Sequence, residues 1–162
     1  MTARRTLLTV LAAVLLLVVV AGGVSALLIR HDRLDTAVSS RTDVTRVAGD
    51  QAVAMLSYRH DTVDDQLATA AAGLTGDFRG KYETLVAEAV APSAKGKSID
   101  TAVTVAGSSV VSIDGDDATV LLFLNQVTTS AQTPDPTTTG SRVTVDLTRV
   151  DGMWAVSGLT PV

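Results

Sequence analysis

SRVTVDLTRVDGMWAVSGL, residues 141–159, is the stretch whose reading decides the fold. Val143, Val145 and Leu147 alternate with Arg142, Thr144, Asp146 and Thr148, the two-residue period of a strand with one dry and one wet face. Asp151-Gly152 then supplies residues that tolerate the positive φ of a tight hairpin turn, and Met153 to Leu159 returns with Trp154 and Val156 on one face.

The same period extends upstream. Ala118 to Val127 is apolar on both faces, which suits a central strand, and Asp114-Gly115-Asp116 before it reads as a turn. Ile99, Thr101, Val103 and Val105 alternate with Asp100, Ala102 and Thr104, and Val110, Val111 and Ile113 extend that strand past a bulge at Gly107. Between the second and third strands, Thr128 to Gly140 has no apolar periodicity and two prolines, so a long, mobile loop is expected. It reads as a solvated hairpin tip, with a contact arm or a glycosylated patch as the alternative; no Asn-x-Ser/Thr sequon occurs in the chain.

Before Ile99 the period is about 3.6. Val44, Val47, Ala48, Ala52, Met55 and Leu56 form one stripe of a helix from about Leu34 to Tyr58, with Gly49 as a soft spot. A second helix spans about Thr62 to Leu74, with Val63, Leu67, Ala70, Ala71 and Leu74 on one side. Thr75-Gly76-Asp77 breaks and restarts the chain: the Thr75 hydroxyl is expected to cap a third helix and Asp77 to favour its first turn. That helix presents Phe78, Tyr82, Leu85, Val86, Ala89 and Val90 on one face and is expected to end at Pro92 and Lys95-Gly96-Lys97. Helices followed by a four-stranded meander give an α+β fold with helices on one side of the sheet.

Leu7 to Ile29 is apolar for 23 residues, with only Thr9 and Ser25 polar. At a rise of about 1.5 Å per residue it spans a hydrocarbon core of roughly 30 Å. A retained transmembrane helix is the reading. A cleavable signal peptide is the rival, since Val24-Ser25-Ala26 would suit a peptidase, but Leu27, Leu28 and Ile29 run on past that cut. Arg4 and Arg5 precede the span, while Asp32 and Asp35 dilute Arg30 and Arg33 after it, which places the N-terminus in the cytoplasm and the remainder outside. Gly22, Ser25 and Ala26 would let a second helix approach, a pattern common to membrane spans. The organisation is therefore 1–6 cytoplasmic, 7–29 transmembrane, 30–60 a membrane-proximal helical stalk, and 61–162 an outer α+β domain.

From Leu34 onward nine Lys and Arg face sixteen Asp and Glu, a net charge of −7. That balance argues against nucleic acid and against a polybasic grip on anionic lipid. There is no cysteine, so packing alone must hold an exported domain together, and thiol chemistry is excluded. Catalysis needs convergent titratable groups, and few occur. His31 and His60 share no helix face or metal-ligand spacing; His31 is expected at headgroup level and His60 beside a helix end. Asp61, Asp64 and Asp65 sit where carboxylates favour a helix N-terminus. Asp114, Asp116 and Asp117 resemble half of a calcium loop without its closing Glu. No nucleophile elbow, P-loop or dinucleotide fingerprint occurs. Tyr58, Phe78, Tyr82, Phe123 and Trp154 are expected in the core. No catalytic residue, metal or cofactor is assigned.

Ser57-Tyr58, Thr75-Gly76-Asp77-Phe78-Arg79 with Tyr82, Asn125-Gln126 and Val150-Asp151-Gly152-x-Trp154, in this order, resemble the Mce-associated membrane proteins of actinobacteria. The resemblance covers roughly Ala52 to Val162 and the bare plan of a single anchor in front. Arg59-His60 departs from the acidic-aromatic pair expected there, and nothing between Arg30 and Gln51 matches. The resemblance implies a cystatin-like, nuclear-transport-factor-2-like domain, with about three helices on a curved four-stranded antiparallel sheet, similar to the periplasmic domain of the short bitopic scaffold of type IV secretion machines. It also implies a non-enzymatic role: assembling or stabilising an Mce complex that moves lipids or sterols across the cell envelope. The alternative is a lipid or small apolar ligand held in the cone beneath Phe78, Tyr82 and Phe123, or, further off, an isomerase-like enzyme. Asp100 and Asp146 fall on the polar face of the strands, which counts against a cone enzyme.

Overall fold

The computed structural model describes residues 40–162, of which 41–162 form one compact unit. The apolar run 7–29, with Gly22, Ser25 and Ala26, lies outside the described residues, as does His31. Among the described residues no helix is long and apolar enough to cross a membrane.

Helix α1 occupies residues 40–56. Val44, Ala48, Ala52 and Met55 recur every three or four residues, so they share one face, and all four are buried. Helix α2, Val63–Ala71, buries Val63, Leu67, Ala70 and Ala71, and Leu74 just beyond it is buried as well. The third helical stretch is one rod in three parts: α3 (Gly76–Leu85), a π-helical turn (Val86–Val90) and α4 (Ala91–Lys97).

The π turn corrects the expected stripe. Phe78 and Tyr82 face the core as read, but Leu85 is 55% exposed and Ala89 is also on the surface. A π turn takes up one residue more than an α turn, so the inward face passes from Val86 to Val90 and Ala91 and then to Ala94. Nor does Pro92 end the rod. It stands in the first turn of α4, where a missing N–H costs nothing, and the helix ends at Ser98, which turns left-handed at φ 51°. Thr75 occupies the N-cap position with extended backbone, but its hydroxyl makes no cap bond; its N–H donates to Val156 O at 2.9 Å.

The sheet is an antiparallel meander, β1 (Asp100–Asp114), β2 (Asp117–Thr129), β3 (Thr137–Val150) and β4 (Met153–Pro161), in the order β1-β2-β3-β4. Register shifts fall between Val105 and Gly107, where the bulge was expected, and again between Val110 and Ser112. Asp151 and Gly152 both take positive φ, 51° and 81°, as a two-residue turn with right-handed twist requires. The expected long loop is shorter: Thr128 pairs with Thr137, leaving residues 130–136 outside the ladder. A run of threonines, β-branched and able to pair across strands, continues the ladder without apolar alternation.

One face of the sheet is dry. Val103, Ala118, Val120, Leu122, Leu124, Val143, Val145, Leu147 and Val156 are buried there and cluster with the inward residues of the helices. Removing each such large side chain from water contributes about 1.5–3 kcal/mol. Phe123, expected in this core, lies on the opposite face and is 43% exposed, because β2 alternates strictly and Leu122 and Leu124 take the dry side. It lies across from Gly107, where a Cβ would meet its ring at 3.8 Å.

Candidate interaction surface

The residues that carried the family resemblance are distributed over the joints between helices and sheet. Tyr58 pairs with Thr101 at the outer edge of β1, donating its N–H to Thr101 O at 2.9 Å and accepting the Thr101 N–H at 2.8 Å. Ser57 Oγ accepts the next outward N–H, that of Val103, at 2.9 Å. At the other edge Leu74 bridges Val156 of β4, with Val156 N–H donating to Gly73 O at 3.0 Å and Thr75 N–H to Val156 O. Tyr82 is buried and its hydroxyl donates to Met55 O at 3.1 Å, tying α3 to the end of α1; burial pushes its pKa up to about 12.

Phe78 packs against the core from the first turn of α3, which begins with Gly76 at φ 60° and Asp77. Arg79 pairs with Glu83 one turn on, at 2.9 Å and in solvent, where such pairs contribute little. Asn125 is exposed on β2, and Gln126 Nε2 donates to Thr128 Oγ1 at 3.3 Å. Trp154 is half-buried with the Arg149 guanidinium 4.4 Å from its ring centroid, opposite it in the β3–β4 ladder. These residues build the fold; they do not converge on one point.

The titratable groups are likewise spread out. His60 donates its backbone N–H to Asp100 Oδ1 at 2.8 Å and sets its ring Nδ1 2.7 Å from the same oxygen. That N–H and the ring hold the Asp100 carboxyl below the usual carboxylate range. Arg59 forms a two-oxygen pair with Asp61, which lowers the Asp61 carboxyl in the same way. Lys95 pairs with Asp64, and Arg149 lies 3.7 Å from Asp116. Asp146, on the wet face, accepts the Thr119 hydroxyl at 2.8 Å. Among the described residues no three His, Asp or Glu side chains are gathered as a metal would require.

Leu67, Leu122, Leu124, Leu147, Val120 and Val145 are fully buried between helices and sheet. Among the described residues, surface grooves open to solvent. One runs between α1 and β1, lined by Gly49, Val53, Val103 and Val105; another runs between α1 and α2, past Gln51 and Gln66. The sheet has two outer edges, β1 and β4. The structure separates them: β4 is bridged at Val156 and ends at Pro161, whereas among the described residues the bonds to the outer edge of β1 fall at Thr101 and Val103. The legible signal was the absence of any charge or proline from Thr101 to Ile113.

No family model matches the chain. Two proteins of Mycobacterium tuberculosis are similar in sequence. The uncharacterized protein Rv1362c is 40% identical over 133 residues, covering 82% of this chain, which spans only 60% of that protein's length. Outer membrane protein Rv1973 is 41% identical over 128 residues, 79% of each chain. Among solved structures, an IcmL-like type IV secretion system protein of Legionella pneumophila superposes with TM-score 0.63 at 13% identity, covering 75% of this chain and 93% of that one. The periplasmic domain of DotI gives TM-score 0.61 at 18% identity, covering 74% and 92%. An NTF2-like superfamily protein of Salmonella enterica gives 0.53 at 8%, covering 75% and 91%. At such identities the likeness is one of fold, and the fold is NTF2-like.

Proposed function

This chain belongs to the same family as the mycobacterial outer membrane protein Rv1973, and from that premise we propose that it is a non-enzymatic accessory protein of the cell envelope. Its apolar run Leu7 to Ile29 anchors it as a single span in the cytoplasmic membrane, with the N-terminus inside. Its outer domain assembles or stabilises a multiprotein complex, of which an Mce-type lipid or sterol import system is the specific candidate. The observation that carries this reading is the burial of the protein's own leucines and valines between helices and sheet, where NTF2-like enzymes and binders would hold a ligand. The likeness in fold to type IV secretion components supports it.

A ligand in the cone has less support. Of the three aromatics that would have covered it, Phe123 stands on the opposite face of the sheet and Tyr82 spends its hydroxyl on Met55. Scaffolding needs only surface. Confinement to a membrane raises the effective concentration of partners, so a weak domain contact suffices.

The test is a mild crosslink in intact cells, followed by affinity capture of the full chain and mass spectrometry. Recovery of Mce chains or their permease, lost when residues 61–162 are deleted, is the expected result. Recovery of lipid with no protein partner would replace scaffolding with ligand binding.

A further inference from the structure

We propose that β1 pairs with β1 of a second copy of this chain, antiparallel and two-fold about Ser109. Thr101 and Val103 direct their outer backbone groups away from β2, since both are bonded to residues 57–58. β2 pairs with β3 without a register shift, so its own alternation is unbroken and carries the pattern past the first bulge of β1. Thr128 stands opposite Thr101 and Gln126 opposite Val103; Leu122 and Val120 share their parity on β2, and they stand opposite Ser108 and Val110. Ser108 and Val110 therefore also point their N–H and C=O outward, and they have no backbone partner there among the described residues.

Other edge positions are bridged or blunted, at Tyr58 and Ser57 on β1 and at Leu74 and Pro161 on β4. Between Thr104 and Ile113 no lysine, carboxylate or proline blunts the edge, and Val111 is 62% exposed. The two bulges leave the residues from Gly107 to Val110 as the regular window. A two-fold about Ser109 sets Ser108 of each copy against Val110 of the other, which joins the outward groups in two narrow pairs with four hydrogen bonds. Charge selects the same register. Centred on Ser109, each Asp114 faces an uncharged Thr104, whereas centring on Gly107 would oppose Asp100 to Asp114. The second copy is thus an occupant whose own edge has the required chemistry: extended and, from Thr104 to Ile113, uncharged. The contact depends neither on the accessory role nor on any Mce partner.

The chain has no cysteine, so single introduced thiols report the register directly. Ser109 would face its own copy in a wide pair with Cα atoms about 4.5 Å apart, within reach of a disulfide. Ser112 would lie six positions from its copy, roughly 20 Å away. Full-length Ser109→Cys and Ser112→Cys are oxidised in native membranes with copper phenanthroline and run on non-reducing gels. A covalent dimer at least about tenfold more abundant for Ser109→Cys is expected. Adding Val110→Pro, which deletes an outward N–H and spares the β1–β2 ladder, is expected to abolish it with the melting transition retained. Equal crosslinking of both variants, crosslinking of neither, or a Ser109→Cys dimer that survives Val110→Pro in a folded chain would overturn the proposal. Should Val110→Pro fail to fold, the comparison of the two thiols still decides.

Discussion

Tyr82 joins burial, a hydrogen bond and a shifted pKa in one side chain. Its ring fills the core and its hydroxyl meets the carbonyl of Met55 at 3.1 Å. Removing the donor with Tyr82→Phe leaves that carbonyl short of a partner, and a loss of about 1 kcal/mol at pH 7 is expected. The pH dependence has a definite sign. The folded pKa of about 12 lies above the ordinary value of 10.0, so the folded state favours the neutral phenol. The resulting stability is complete below about pH 10 and is lost as pH rises through the folded value. The Phe variant lacks that term. Chemical denaturation of both proteins should show the parent ahead at pH 7 and its lead shrinking between about pH 10 and 12. A gap that stays constant across this range would mean that the phenol is no less hydrated folded than unfolded.

Among elements, the hairpin at Asp151-Gly152 was legible because its determinants are local: two residues able to take positive φ between alternating strands. The α2 stripe was legible for the same reason, and all five of its inward residues are buried. The rod from Gly76 to Lys97 was not. Periodicity assumes about 100° per residue, and nothing in the pattern announces a five-residue turn. Ala91 marks the difference. In an uninterrupted α-helix it would lie opposite Tyr82, yet it is 5% exposed, while Leu85 is on the surface. Leu85→Ala should therefore change stability by less than about 0.5 kcal/mol, whereas Ala91→Leu should overpack the core and cost about 1–3 kcal/mol. Urea titrations of the two variants check the pair; a reversed order would restore the plain α-helical register. Of the interaction surface, the sequence carried the uncharged run of β1, but which of its backbone groups face outward followed only from Tyr58 and the two bulges.

At the scale of the whole molecule, the proposed function depends on which side of a membrane the NTF2-like domain occupies. The domain has no disulfide to record an oxidising compartment, and its acidic surface gives no address. The arginines at positions 4 and 5 carry the proposed orientation, opposed by those at 30 and 33. A relative bears the name outer membrane protein, whereas a single apolar span suits the cytoplasmic membrane, and the two readings predict different fractions. Because the chain is cysteine-free, one thiol at a time reports topology without background. Ser93→Cys lies exposed on α4. In intact cells an impermeant maleimide should label it, while Thr2→Cys should label only after the membrane is opened, with both proteins in the cytoplasmic-membrane fraction. Labelling of Thr2→Cys alone in intact cells would invert the chain and place the domain in the cytoplasm, where it could not meet an envelope complex from outside. Recovery of the protein in the outer-membrane fraction would move the anchor instead, and with it the set of partners within reach.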